Sequence, residues 1–482
     1  MQWARRTLLV GVALTGALLL VLIRLHHPSR WLLSQQRKGD GEEHLDNLTT
    51  QTRSRKDPCT KLKQLGIHKI TFVLKTGATE IHDKLPIHLL TLFACLQPGI
   101  DYAIYSDLAQ RIGPAEVQDA VGSVSHLAHD ANPEYRHYDA LKKHVQHGGD
   151  AKEMAGDAAW HLDKWKFLPM ISESYHFFAK HDKQWVFFME ADTYVSPYNL
   201  VLWISRLDPH QPLYVGAQVV IGETEFAHGG SGILMSEPAV LALRKEYLAN
   251  QNHWEDVIAA DCCGDKVVAE VLLAANPPVP LHRSFPLIQG ETLSSLDWSE
   301  THWCRPAITW HHVDAAGIDK LWNLEHRFLR VADTNAIQPG ITFAKYFDAF
   351  IFPRLRAANY RLEGWDNLSG DWVFTSIENP REGQAEYNVA AQSAEACENF
   401  CRSMPACVQW AWRPGSRRGN KIVRLGRKFE GRPGMGSADD RIDRVGSEGL
   451  QGAVAGWVRE RIEELRTRMG RCKGWDVWET GY

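Results

Sequence analysis

From Ile70 onward, short apolar runs alternate with longer amphipathic stretches, which predicts an α/β fold on a largely buried, mostly parallel sheet. The runs are ITFVL, YAIY, WVFFM, LYVGAQVVI and SGILM, with KLPIHLLTLFAC and KFLPMISESYHFFAK among the helical stretches between them. Size supports this: 482 residues with 44% hydrophobic content suffice for two or three domains with their own cores and exclude a disordered chain. Composition narrows the function. Charged residues make up 23% and the net charge is -4, without the basic excess that binding a phosphate backbone requires, which argues against a nucleic-acid partner. Eighteen tryptophans can either fill cores or offer stacking faces to sugars or nucleobases.

The elements follow in chain order. Residues 7–23 (TLLVGVALTGALLLVLI) are uncharged and mostly apolar, at the short end of what crosses a bilayer, and predict one transmembrane helix. Arg5 and Arg6 precede it while Arg24 and Arg30 follow, so flanking charge orients it weakly. A cleaved signal peptide is the rival. The run is longer than an ordinary signal core, however, and RLHHPSRW follows it instead of a small-residue cleavage site. The expected arrangement is a cytoplasmic tip and signal anchor over residues 1–23, single-pass and type II. The rest would lie in the lumen of the Golgi or endoplasmic reticulum, whose thinner membrane suits a short span. Sequons at Asn47 and Asn367 make sense in that compartment. A flexible polar stem is expected over 24–65, the α/β domain over 66–335, and a connecting region with a helix (TFAKYFDAFIF) over 336–364. A small cysteine-containing α+β unit should occupy 365–482, with the basic, glycine-rich stretch 413–437 as a solvated loop.

The segment WVFFMEADTY carries the chemistry. A buried strand delivers Glu190 and Asp192, two positions apart, at its carboxyl end, where open α/β sheets bind ligands. Such a pair suits a hard divalent cation that needs few protein carboxylates because phosphate and water complete its shell. The alternative is an acidic cap, Asp192 serving the helix that begins near Pro197. Lys166 opens a helix upstream. Downstream come Gly229-Gly230-Ser231-Gly232, then Cys262-Cys263-Gly264-Asp265 opening another helix, then Trp310-His311-His312.

In order and spacing, these motifs resemble the Fringe-like and core-1-type β-1,3-glycosyltransferases, particularly fungal members with a short cysteine-rich tail, over roughly residues 70–325 and into the tail. The resemblance implies a GT-A, Rossmann-like fold, a UDP-sugar donor of galactose or N-acetylglucosamine type, a glycan or glycoprotein acceptor, and Mn²⁺ or Mg²⁺. It implies that Asp192 and His311 hold the metal. Glu190 would join them, directly or only through water, since the central acid common in the family is Ala191 here. His312, one residue on, points elsewhere if the segment is extended. Asp265 is the implied general base, with helix N-cap as its structural alternative, and Gly264 would let backbone approach the ligand. Glu255-Asp256-Val257 ranks second for that role. Thr76, Gly77 and Asp107 would surround uridine and ribose, Lys166 would pair with diphosphate or sit exposed on its helix, and Gly230 and Gly232 would bring backbone to the donor sugar.

In an oxidising lumen Cys262 or Cys263 could pair with Cys304, fixing the loop before Asp265 to the segment before His311. SAEACENFCRSMPACVQWAW is similar to a PAN/apple-type module but lacks the later cysteine, so Cys397 or Cys401 stays unpaired or reaches Cys472. Two functions are open on this basis. One is an inverting UDP-sugar-dependent hexosyltransferase; the other is a catalytically silent, membrane-anchored carbohydrate-binding protein of the same fold. Oligomeric state is not readable.

Overall fold

The structure, a computed structural model, describes residues 57–125, 132–331, 340–373, 389, 392–413, 416–420, 423–424, 427–428, 452–469, 478 and 480. The apolar segment 7–23, the Asn47 sequon and residues 24–56 of the stem lie outside the described residues. Among the described residues no helix is long and apolar enough to cross a membrane.

Folded structure begins earlier than expected. Helix α1 (Pro58–Leu65) buries Leu62 in the main core, and a Cys59–Cys95 disulfide ties it to the turn that follows α2 (Ile81–Leu90). The end of the 24–65 stem is therefore part of the fold. Its apolar stripe is too short to stand out from the polar sequence around it.

An eight-stranded sheet organises the molecule, in the order β11-β7-β10-β5-β1-β2-β4-β3. The strands are β1 (Ile70–Lys75), β2 (Tyr102–Ser106), β3 (Gln110–Ile112), β4 (Ala115–Asp119), β5 (Trp185–Glu190), β7 (Tyr214–Gly216), β10 (Ile233–Ser236) and β11 (Leu281–Arg283). β1 lies parallel to both β2 and β5, β2 to β4 and β7 to β11, whereas β10 opposes β5 and β7, and β3 opposes β4. The sheet is mostly parallel, as predicted. Successive residues of a strand face opposite sides, so the continuous apolar runs supply two cores. Phe72, Leu74, Phe187 and Leu234 meet α2, α4 (Pro197–Ile204) and α6 (Ala315–Val331) on one face. Val73, Val186, Phe188 and Ile233 meet α3 (Phe167–His181) and α5 (Gly264–Ala274) on the other. Helices on both faces of a parallel sheet leave the strand ends as the place for a site.

One predicted strand divides. LYVGAQVVI leaves the sheet after Gly216, and its second half becomes β8 (Gln218–Ile221), which pairs with β9 (Thr224–Ala227) in a separate antiparallel hairpin. Val220 and Ile221 there are exposed, against the buried strand expected.

The tail is a five-stranded antiparallel sheet of Arg361–Glu363, Val454–Trp457, Gln409–Arg413, Ser416–Asn420 and Trp372–Val373, with helix Ala394–Ser403 packed against it. Residue 365 does not mark a break in the core. Trp365, Val408, Trp457 and Ile462 join the same apolar cluster as β1 and β5, and Pro58–Tyr482 form one compact unit. The connecting region carries the expected helical segment, with Phe343, Tyr346, Phe347, Ile351 and Leu355 buried. Part of the basic stretch is strand and not loop. Asn367 is fully buried, donating its amide to Trp410 O at 3.0 Å and Gly456 O at 3.2 Å, so the sequon nitrogen serves the fold. Cys401 pairs with Cys407, and the Cys397 thiol, also buried, faces the Ala411 carbonyl. Trp165, Trp185, Trp298, Trp310, Trp410 and Trp457 are all fully buried, so tryptophan here mainly fills cores.

Candidate metal and donor site

β1, β2 and β5 end at one edge. Lys75 pairs in register with Glu190, and Ala191 N donates to Lys75 O, so the last residue of β1 lies beside the acidic motif. Asp107, just past β2, is 1% exposed; its Oδ1 accepts from Ala78 N at 2.6 Å and Ser106 Oγ at 3.0 Å. Lys166 is equally buried in the Asp163–Lys166 turn before α3. Its Nζ donates to Thr76 O at 2.9 Å and Asp163 Oδ1 at 3.0 Å and lies 3.6 Å from Asp107 Oδ2. Asp163 also binds Lys75, whose ammonium sits 3.1 Å from Glu190 Oε1 and 4.5 Å above the Phe167 ring. Thr76, Gly77, Asp107 and Lys166 thus lie together, but Lys166 is neither exposed nor the first residue of the helix. Burial opposes the Lys75 charge, yet Asp163 and Glu190 outweigh it and hold the ammonium well above its usual range. Burial likewise opposes ionisation of Asp163, and Lys75 and Lys166 prevail to hold that carboxyl low.

Asp192 sits in the turn between β5 and β6 (Tyr194–Val195). Ser196, not Asp192, caps α4, accepting from Asn199 N at 3.3 Å, so the Asp192 carboxylate is left for other work. Its Oδ1 lies 3.5 Å from His311 Nε2 and its Oδ2 lies 3.9 Å from His312 Nδ1 and 3.1 Å from Lys84 Nζ. His312 does not point away. It adopts φ 53, which folds the segment back and sets its ring 3.8 Å from that of His311, centroid to centroid. Asp192, His311 and His312 present ligand atoms all within 4.8 Å of one another; Glu190 is outside this group, its carboxylate turned to Lys75.

These residues fit a divalent cation on an independent observation. Asp192 Oδ1 and both ring nitrogens of His311 are buried without a hydrogen-bond partner, a costly arrangement unless something else takes their lone pairs. Burial alone would raise the pKa of Asp192, but His311, His312 and Lys84 overcome it and hold the carboxyl well below the usual range. The carboxylate is therefore ionised, and Lys84 is positioned to neutralise it.

The glycine turn joins this group to the base candidate. A Cβ on Gly230 would collide with the His311 ring, and Thr193 Oγ1 donates to Gly230 O at 2.7 Å. Gly232 takes φ 99, beside the Phe187 ring, which only glycine does cheaply. Gly229 N donates to Asp265 Oδ2 at 2.8 Å, so His311 and Asp265 flank adjacent residues of one turn. His228 opens that turn, and burial first, then His311, lower its pKa to about 4, keeping the ring neutral.

Asp265 lies inside α5; the N-cap is Cys263, so the capping alternative falls away. The carboxyl is partly buried. Desolvation pushes its pKa up to about 6, Glu190 adds to the rise, and the Gly229 amide and Lys75 oppose it. Gly264 has a packing reason and not a ligand-facing one, since a Cβ would strike the Lys164 carbonyl. Glu255 of the rival motif is occupied, accepting from Ser125 N at 3.0 Å, Gln251 Nε2 at 2.8 Å and Tyr247 Oη at 3.3 Å. Cys262 and Cys263 are disulfide-bonded to each other and Cys304 is held in another disulfide, so the expected link to Cys304 is absent.

Sequence reasoning missed Lys84, Asp163 and the inward turn of His312. Asp163 stands three positions before Lys166, a helical spacing that could have marked the pair. Lys84 is 108 residues from Asp192, with no local signal.

Residues 127–323 match the sequence model of the family described as Fringe-like. A segment of 73 residues is 41% identical to human chondroitin sulfate glucuronyltransferase, covering 14% of this chain and 9% of that protein. The matched family region contains β5, the glycine turn, Asp265 and both histidines, and residues 127–323 of this chain accordingly form a Fringe-like domain.

Proposed function

We propose that this chain is a metal-dependent, inverting glycosyltransferase that moves a sugar from a UDP-sugar to a glycan hydroxyl, with Asp265 as general base. The observation that carries it is the glycine turn, which has orphaned metal-ligand atoms on one side and a partly buried carboxyl of raised pKa on the other. The Fringe-like match and the resemblance to a glucuronyltransferase support the reaction class. Asp192 and His311 would hold a divalent cation, Mn²⁺ or Mg²⁺, which would supply positive charge to offset that of the departing diphosphate. The chain's own groups do the rest. Asp265, once ionised, accepts the proton of the attacking acceptor hydroxyl, and a pKa near 6 suits a base at neutral pH. Gly229 N keeps that carboxylate oriented. The buried lattice of Lys75, Asp163, Lys166 and Asp107 fixes the strand ends against which uridine and ribose would lie.

The disulfides suit an oxidising compartment and, with the apolar run 7–23, support a type II anchor in the Golgi or endoplasmic reticulum. Retention of the protein in membranes washed at alkaline pH is the expected result; release into the wash refutes the anchor. The activity is tested by screening UDP-sugars for metal-stimulated hydrolysis by the full-length chain. Hydrolysis of one donor, abolished in Asp192→Ala, supports transfer, whereas UDP binding with no turnover of any donor favours the silent carbohydrate-binding protein.

A further inference from the structure

We propose that His312 is a third protein ligand of this cation, making a site of two imidazoles and one carboxylate that selects nitrogen-accepting transition ions such as Mn²⁺ and Co²⁺ over Mg²⁺. This rests on the reading that Asp192 and His311 hold a metal. Three observations support the added ligand.

The first is spacing. His311 Nε2 and His312 Nδ1 lie 3.5 and 3.9 Å from different oxygens of Asp192. Atoms bound at about 2.1 Å to a common ion stand roughly 3 to 4 Å apart, so small adjustments close the group around one cation. The second is backbone conformation. Consecutive side chains of an extended segment point to opposite sides, and these two reach the same carboxylate because His312 is left-handed at φ 53. For a residue with a Cβ that conformation costs on the order of 1 kcal/mol, and glycine would hold the same bend without it. Such strain at a site-facing residue points to a role for the imidazole. The third is that the bend is clamped on both sides. Trp310 pairs with Tyr194 across β6 and β12 (Thr309–Trp310), and Val313 N donates to Asp192 O at 2.8 Å. The same strand-end that presents Asp192 thereby holds both histidines facing it.

The donor set decides the ion. Mg²⁺ demands oxygen and retains its waters, so a second imidazole adds little to its affinity, whereas Mn²⁺ accepts nitrogen and Co²⁺ favours it more.

The test is Mn²⁺ titration of the full-length protein, followed by electron paramagnetic resonance of the free ion, together with the visible spectrum of the Co²⁺ form. His312→Asn keeps a side chain tolerant of the left-handed backbone, and His312→Gly removes the strain as well as the ring. Both variants should bind Mn²⁺ roughly tenfold or more weakly, lose more Co²⁺ affinity, shift the Co²⁺ bands and leave Mg²⁺ affinity unaltered. Wild-type-like Mn²⁺ affinity and an unchanged Co²⁺ spectrum in either variant overturn His312 as ligand while Asp192 and His311 stand. A wild-type protein that binds no Mn²⁺, or an Asp192→Asn variant that binds it normally, overturns the underlying metal reading as well.

Discussion

Asp192 and Asp265 are partly buried carboxyls on either side of one glycine turn, and they are driven in opposite directions. Desolvation acts on both. Around Asp192 stand His311, His312 and Lys84, which favour the anion; around Asp265 there are two backbone amides, while the charge of Glu190 disfavours it. Neighbouring charge, more than depth, thus separates a carboxylate fit to hold a cation from one fit to take a proton.

The contrast breaks first at Asp265. Asp265→Asn should lower turnover by roughly 10²- to 10⁴-fold while UDP and Mn²⁺ still bind; steady-state kinetics and calorimetry on the same preparation separate the two, and near-normal turnover removes Asp265 as base. A structural prediction of similar weight concerns the lattice behind the site. Lys166→Met removes the ammonium that lies between the buried Asp107 and the partly exposed Asp163 and should cost about 3 kcal/mol in denaturant unfolding; a loss within about 0.5 kcal/mol would show that the lattice is not structural.

Acidity sharpens the comparison further. The Asp265 pKa is raised from 3.8 to about 6 in the folded chain, so its contribution to stability is full below pH about 4 and is lost as pH rises through about 6. Above that, the folded chain carries a partly buried charge that the unfolded chain holds at no cost. Asp265→Asn should therefore be more stable than wild type by up to about 3 kcal/mol at pH 7.5, the gain vanishing near pH 4. In the wild type, kcat/KM should rise with pH and level off above about 6, because the base must be ionised. A flat profile, or an Asn variant no more stable at any pH, contradicts the raised pKa. The smallest effect is expected at Lys84, a partly exposed cation that competes with a metal for Asp192 Oδ2. Lys84→Gln should tighten Mn²⁺ binding by roughly fivefold; weaker binding would mean that Lys84 helps to build the site.

Legibility followed the range of the forces involved. β1, β2, β5 and β10 were visible because burial on both faces leaves uninterrupted apolar runs. The run at β7 misled, since one apolar stretch serves the sheet up to Gly216 and a separate hairpin from Gln218. Helix α1 was hidden because a disulfide and a few buried side chains hold it. In the site, motifs far apart along the chain meet, Asp192 and His311 on one side of the glycine turn and Asp265 on the other. Glu190 stands apart from Asp192 because its partner, Lys75, is set by strand register. His312 was misjudged because its left-handed turn is imposed by hydrogen bonds to distant residues and not by its neighbours in sequence.

If Asp192 holds a divalent ion, the diphosphate of a UDP-sugar should bind through it. Titrating UDP into the full-length protein with and without Mn²⁺, and repeating the titration with Asp192→Ala, tests it most directly. The account predicts binding that requires Mn²⁺ and is lost in the variant; UDP binding that ignores both the metal and the substitution would contradict it.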